Sequence, residues 1–72
     1  MEIVNGSFPQ YAVNKIEQAV LDNYRITGER RTIIKLGSAE EREAFRQECK
    51  KLDSNFKVTQ EATLVFTVYF LG

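Results

Sequence analysis

The residue types that carry most enzymatic chemistry are scarce in this chain of 72 residues. It has no histidine and one cysteine, Cys49, and this excludes Ser-His-Asp and Cys-His nucleophilic pairs. Cys49 shares a helical stripe with Phe45 and Leu52, a pattern more typical of a small core hydrophobe than of a nucleophile. The glycines are too scattered for a phosphate-binding loop. The sequence therefore predicts a protein that is not an enzyme and that uses no metal or cofactor.

Three glutamates, Glu40, Glu41 and Glu43, form an acidic group that resembles a paired-carboxylate site. They follow Ser38, and Ser38-Ala39-Glu40-Glu41 has the form of a helix capping box. Carboxylates in the first turn complement the helix dipole, which is the simpler interpretation. An inhibitor that mimics DNA could also use such a surface, but Arg42 and Arg46 interrupt its negative charge.

A basic group between residues 25 and 35 could contact phosphate. Arg25, Arg30, Arg31 and Lys35, less Glu29, give this segment a net charge of +3. On a strand, Arg31 and Lys35 would share a face, which would make a nucleic-acid-binding edge. The alternative is a charged edge strand that resists pairing with other chains. The alternative is favoured, because the whole chain has 10 basic and 10 acidic residues and no nucleic-acid-binding motif.

The uncharged run 62–71 is the segment around which we expect the core to form. It is rich in β-branched and aromatic residues, as strands are. A period of two places Ala62, Leu64, Phe66, Val68 and Phe70 on an apolar face. The other face holds Thr63, Val65, Thr67, Tyr69 and Leu71, and it is too apolar for an ordinary solvent face. The run therefore predicts a central strand with something packed on each side.

The second face of this strand is the strongest candidate for a partner surface. Two short helices cover one face of a small sheet more easily than both, so we expect a second copy of the chain to cover the other. The alternative is that the first helix covers it within one subunit. Further apolar side chains lie outside the stripe of that helix, which favours the partner. The predicted contact residues are Val65, Thr67, Tyr69, Leu71, Tyr11 and Leu21.

The remaining elements follow from periodicity and turn signals. Residues 2–5 predict an edge strand, and Ser7-Phe8-Pro9-Gln10 predicts a capping box that opens a helix to about residue 25, ended by Thr27-Gly28. A strand from Arg30 to Leu36, a helix after Ser38 and a strand from Phe56 to Gln60 come next. Whether Gln60-Glu61-Ala62 is a hairpin turn or a bulge stays open.

These elements predict a single α+β domain over residues 1–72. The order is β-α-β-α-β-β, with a single-layer sheet of three or four strands and two helices on one face. If the second and third strands are parallel neighbours, the second helix is the crossover between them.

Size and composition limit the classes of protein to which this chain can belong. A content of 43% hydrophobic and 28% charged residues is that of a folded globular protein. Chains this short are marginal alone, and a single cysteine forms no intrachain disulfide, so oligomerisation is the expected remedy. No signal peptide and no membrane span is indicated, and the cysteine content suggests the cytosol. We expect a small non-enzymatic regulator or inhibitor that binds protein as a homodimer; the alternative is a nucleic-acid-associated protein that uses the Arg25–Lys35 segment.

Overall fold

A computed structural model describes residues 1–6 and 10–72 of the chain. Ser7, Phe8 and Pro9, and with them most of the predicted capping box at the first helix, lie outside the described residues. Four strands form one antiparallel sheet in the order β1-β2-β4-β3. The helices and strands are β1 (Glu2–Ile3), α1 (Ile16–Thr27), β2 (Arg31–Lys35), α2 (Ala39–Cys49), β3 (Phe56–Ala62) and β4 (Val65–Phe70). The predicted α+β class and element order are confirmed.

Strand β4 occupies the middle of the sheet. It pairs antiparallel with β2 on one side and with β3 on the other. This is the position expected for a run that is apolar on both faces. The conditional arrangement with the second and third strands as neighbours is wrong, because β4 lies between them. They run in the same direction, and α2 connects them across the intervening strand.

Helix α1 begins later than its sequence pattern suggests. Val13–Lys15 is a 3₁₀ turn, and the α-helix starts only at Ile16. Before it, Gln10 forms an isolated bridge with Glu2, and the Tyr11 amide donates to the Met1 carbonyl at 3.0 Å. Contacts with the N-terminal residues thus satisfy backbone groups that the helix would otherwise have used. The end is as predicted: Gly28 has a φ of 77° and donates to the Tyr24 carbonyl at 2.8 Å.

Helix α2 and the β3–β4 hairpin test two further predictions. Ser38 caps α2, since its hydroxyl accepts from the Glu41 amide at 3.1 Å. The hairpin contains both features that the sequence left open, a register shift between Gln60 and Ala62 and a turn at residues 63 and 64. The predicted strand over 62–71 is therefore wrong at its start. Leu64 fits the strand pattern of the sequence because its apolar side chain packs on the core. Its backbone nevertheless lies in the turn, where its carbonyl accepts from the Leu36 amide at 2.8 Å.

Both helices pack against the same face of the sheet. Phe45 of α2 contacts Phe66 of β4, with 4.9 Å between ring centroids. On the α1 side, the ring of Tyr24 lies 5.4 Å from that of Phe70. The buried apolar core between the two layers consists of Met1, Ile3, Ile16, Ala19, Val20, Ile34, Leu36, Phe45, Phe66 and Val68. Among the described residues, no helix covers the opposite face, which we call the open face.

Candidate binding surface on the open face of the sheet

Three rows of side chains cross the open face, because backbone pairing fixes the register of the strands. In the basic row, Tyr69 of β4 has Arg31 of β2 on one side and Lys57 of β3 on the other. The middle row is formed by Ile33, Thr67 and Thr59. The mixed row is formed by Glu2, Lys35, Val65 and Ala62. A cationic end with one aromatic ring is thus followed by an uncharged centre and an end of mixed charge.

Two exposed apolar side chains extend this surface, one at the β1 edge and one at the end of β4. The Val4 amide donates to the Ile33 carbonyl at 2.8 Å, so Val4 lies beside the middle row, and its side chain is 56% exposed. The Leu71 amide donates to the Asn55 carbonyl at 2.7 Å, which extends the β3–β4 pairing by one residue. Strand alternation then places Leu71, 60% exposed, on the same side as Tyr69.

The centre of the open face is flat and partly covered by its own side chains. Ile33, Val65 and Tyr69 are half-buried, and Thr67 is buried between its neighbours with 3% exposed. Four of the residues predicted to bind a partner lie in β4 or directly after it, and among these Thr67 is covered by its neighbours and offers little surface to a partner. Val65, Tyr69 and Leu71 present apolar area above it.

The other two predicted partner residues lie in a different part of the molecule. Tyr11 packs against the core on the helix side, and its hydroxyl donates to the Asp22 carboxylate at 3.1 Å. Burial, and next the hydrogen bond to Asp22, raise the pKa of Tyr11. Leu21 belongs to α1. The structure does not bring Tyr11 or Leu21 together with the open face.

The predicted basic group is divided between the two sides of the sheet. Arg31 and Lys35 share the open face, as their spacing indicated. Arg25 pairs with Asp22 of α1. Arg30 lies at the opposite side, where its guanidinium is 5.0 Å from the Tyr24 ring centroid and donates to the Gly72 carbonyl at 2.7 Å. The segment from residue 25 to 35 therefore does not form one continuous phosphate-binding patch.

Lys57 is the open-face cation that sequence reasoning missed. Strand alternation predicts that Lys57 and Thr59 share one side of β3. It does not predict which strand lies next to β3. Only the β3–β4 register shows that Lys57 lies opposite Tyr69. A neighbouring anion, Glu61, is also on this side, since its carboxylate accepts from the Thr59 hydroxyl at 2.9 Å.

The charges of the open face remain available to a partner. They are Arg31, Lys57, Lys35, Glu2 and Glu61. The ion pairs found within the described ranges all involve other residues, in the helices, in the turn after α2 or at the N-terminus. A molecule that docks on the open face would thus meet charged groups without having to break ion pairs of this chain.

The cysteine and the glutamates that the sequence offered for catalysis are buried or paired within the fold. Burial, with a smaller effect of Glu48, raises the pKa of the half-buried Cys49 to about 11, which keeps its thiol protonated and weakly nucleophilic at neutral pH. Glu41 accepts from the Gly37 amide at 2.7 Å, and Glu43 pairs with Arg46 at 3.2 Å. In the part of the chain that is described, no group of three acidic, cysteine or histidine residues could hold a metal ion.

Two further findings bear on function. Across residues 1–6 and 10–72, no helix combines the length and apolar character needed to cross a membrane. Comparisons with protein-family models, curated proteins and solved structures find no match to this chain.

Proposed function

We propose that this chain is a small non-enzymatic regulator or inhibitor that binds protein, and that it self-associates as a homodimer through the open face. One observation supports the proposal: both helices pack on one side of the sheet and leave Val65, Tyr69 and Leu71 without cover from either. Exposed apolar area of this kind is stabilised by a partner. With Cys49 as its one cysteine, the protein suits a reducing compartment, and we place its action in the cytosol.

The size of the open face limits a dimer to weak affinity. Four strands about 4.8 Å apart span roughly 19 Å, and six residues along a strand span roughly 20 Å. Two such faces would cover at most about 800 Å² in flat projection, since β1 contributes only two residues, and this is below the size of stable specific interfaces and in the range of weak, transient ones. We therefore expect dissociation in the micromolar range. Tyr69, an aromatic side chain flanked by two cations, is the natural anchor of such an interface.

Light scattering or sedimentation equilibrium at micromolar concentration tests this proposal. We expect a dimer that Tyr69→Asp and Leu71→Asp each convert to a monomer, because each places a carboxylate in the apolar contact. Ile26→Asp is the matched control, since Ile26 is an exposed apolar residue of α1, 49% exposed, on the other side of the molecule. A wild-type monomer, or equal dissociation by Ile26→Asp, would reject the open face as the interface.

A second candidate function, binding of single-stranded nucleic acid, is favoured by the basic row. Tyr69 between Arg31 and Lys57 provides a ring for base stacking and two cations for phosphate. An oligonucleotide titration at two salt concentrations tests it. This candidate requires salt-sensitive binding that Arg31→Glu weakens more than Arg25→Glu, since Arg25 lies on the helix side. The zero net charge of the chain favours the protein partner.

A further inference from the structure

Strand β3 (Phe56–Ala62) has an outer edge along which no strand pairs within the described ranges. It is the last strand in the order β1-β2-β4-β3 and pairs with β4 alone. The opposite edge of the sheet differs, because Glu2 of β1 pairs with Lys35 on one side and with Gln10 on the other. A row of unpaired backbone groups is a template for a further strand. The β3 edge is therefore the place where this sheet can be extended.

Alternation of the backbone decides which groups of β3 point outward. The Leu71 amide donates to the Asn55 carbonyl at 2.7 Å, so the backbone groups of Asn55 are directed toward β4. Every second residue along an antiparallel strand repeats this direction. The residues in between, Val58 and Gln60 among them, direct their N–H and C=O groups away from β4. These are the groups with which a further strand would form hydrogen bonds.

A second copy of β3 matches this edge when a two-fold axis passes through Thr59, the midpoint of the seven-residue strand. Val58 of each copy then lies opposite Gln60 of the other, so outward groups meet outward groups and exchange hydrogen bonds. Lys57 of each copy lies opposite Glu61 of the other, in positions where side chains come closest. The bulge between Gln60 and Ala62 leaves Glu61 on the open-face side, where its carboxylate accepts from the Thr59 hydroxyl.

Charge opposes the other registers that the backbone permits. An axis at Lys57 or at Glu61 places identical charges opposite one another, which destabilises strand pairing. Axes at the two residues next to Thr59 leave both charges opposite uncharged residues and shorten the overlap. On the helix side, the cation that donates to β3 is Arg46, and it is already paired with Glu43 at 3.2 Å. The axis at Thr59 is thus the one that pairs both charges of the edge.

We propose that a second copy of this chain pairs antiparallel with the β3 edge about the axis at Thr59, so that two four-stranded sheets join into one. This interface lies at the edge of the sheet, and it does not depend on association through the open face. The axis that relates two antiparallel strands is perpendicular to their sheet. The open faces of both copies therefore lie on the same side of the joined sheet.

Hydrogen exchange at individual amides tests the pairing directly. The Leu71→Asp variant is used, because its carboxylate opposes association through the open face, and it is followed by NMR at micromolar and at millimolar concentration. The amides of Val58 and Gln60 should exchange about tenfold more slowly at the higher concentration, because they then donate to the second copy. The amide of Lys57 bonds to β4 in either state, so its smaller change measures any general stabilisation.

Charge reversal in the same background tests the register. Lys57→Glu and Glu61→Lys each place like charges opposite one another in a homodimer, and each should weaken association about tenfold. An equimolar mixture of the two should restore it, and so should the variant that carries both changes, because both arrangements recover opposite charges at both pairs. Lys15→Glu with Glu17→Lys, at exposed positions before and within α1, is the control and should have no effect. Sedimentation equilibrium measures association, and circular dichroism confirms folding.

The outcomes separate the edge from the open face. Exchange of the Val58 and Gln60 amides that is independent of concentration would overturn the edge pairing, even if the wild type dimerises through the open face. Protection of these amides in a wild type whose association Tyr69→Asp leaves unchanged would support the edge and reject the open face. A doubly reversed variant that associates no better than the single reversals would overturn the register at Thr59.

Discussion

The amide of Asn23 is the polar contact that joins α1 to the sheet. Its side chain is 4% exposed, and its Nδ2 donates to the hydroxyl of Thr32 at 3.1 Å and to the Arg31 carbonyl at 3.3 Å. Thr32 is completely buried, so no water replaces a lost partner. We expect Asn23→Ala to lower the free energy of unfolding by about 2 kcal/mol, as for other buried groups left unpaired. Urea denaturation measures the change.

Two comparisons isolate this contact. Gln18→Ala alters an exposed position of the same helix and should change stability by less than about 0.5 kcal/mol. In a Thr32→Val background, Asn23→Ala should cost less, because the hydroxyl that it leaves unpaired is already gone. An equal cost of Asn23→Ala in both backgrounds would show that the amide acts through packing alone.

The carboxylate of Glu41 makes stability depend on pH. A hydrogen bond from the Gly37 amide is the main cause that lowers its pKa below the ordinary value of 4.5; burial opposes this, and the Met1 ammonium at 3.2 Å adds to it. Because the folded state binds this proton less readily than the unfolded state, the contribution is present above the unfolded pKa. It is lost as pH falls through the lower, folded pKa.

The stability difference between wild type and Glu41→Gln should therefore be larger at pH 7 than at pH 3. We expect about 1 kcal/mol at neutral pH, the size of a charge-assisted hydrogen bond at a partly exposed site. Glu40→Gln removes a carboxylate from the same helical turn, where the side chain is exposed, so it controls for the helix dipole. Urea midpoints across this pH range measure both variants. A constant difference for Glu41→Gln would be evidence against the contact.

Among the elements, the end of α1 depends on the left-handed backbone of Gly28. Its φ of 77° is unfavourable for any residue with a Cβ, although a Cβ at this position would meet nothing within 4 Å. Gly28→Ala should thus cost about 1 kcal/mol of stability from backbone strain alone. Gly37→Ala is the control, because Gly37 has no positive φ and a Cβ there makes an ordinary contact at 3.8 Å with Glu41. Thermal unfolding that ranks the two variants equally would contradict this explanation.

Elements whose ends depend on local chemistry were predictable from the sequence. Ser38 predicts the start of α2 and Gly28 predicts the end of α1. Both could be predicted because capping and φ preferences involve residues only a few positions apart. The start of α1 and the turn at residues 63 and 64 were not predictable in this way. Contacts of Tyr11 with Met1 and of Leu64 with Leu36 fix them, and these link segments at least ten residues apart in the sequence.

At the scale of the whole molecule, periodicity predicted that β4 has two apolar faces, but not what lies around each. Strand alternation separates Arg30 from its neighbour Arg31, and register joins Arg31 to Tyr69 and Lys57. Arg31, Tyr69 and Lys57 come from three strands, and β2 is separated in the sequence from the β3–β4 hairpin by the whole of α2. Membership of the open face therefore follows from topology, which a single sequence does not specify when several strand orders satisfy the same pattern.

Association through the open face would make thermal stability depend on protein concentration. A dimer that dissociates on unfolding is stabilised by mass action, so about a hundredfold increase in concentration should raise the melting midpoint by roughly 5–10 °C for a domain of this size. Tyr69→Asp should abolish the dependence, because its carboxylate would be buried against apolar groups of the second copy. Ile26→Asp should retain it. Calorimetry at two concentrations measures the shift, and a wild-type midpoint that does not move would mean that the fold is stable without a second copy on Val65, Tyr69 and Leu71.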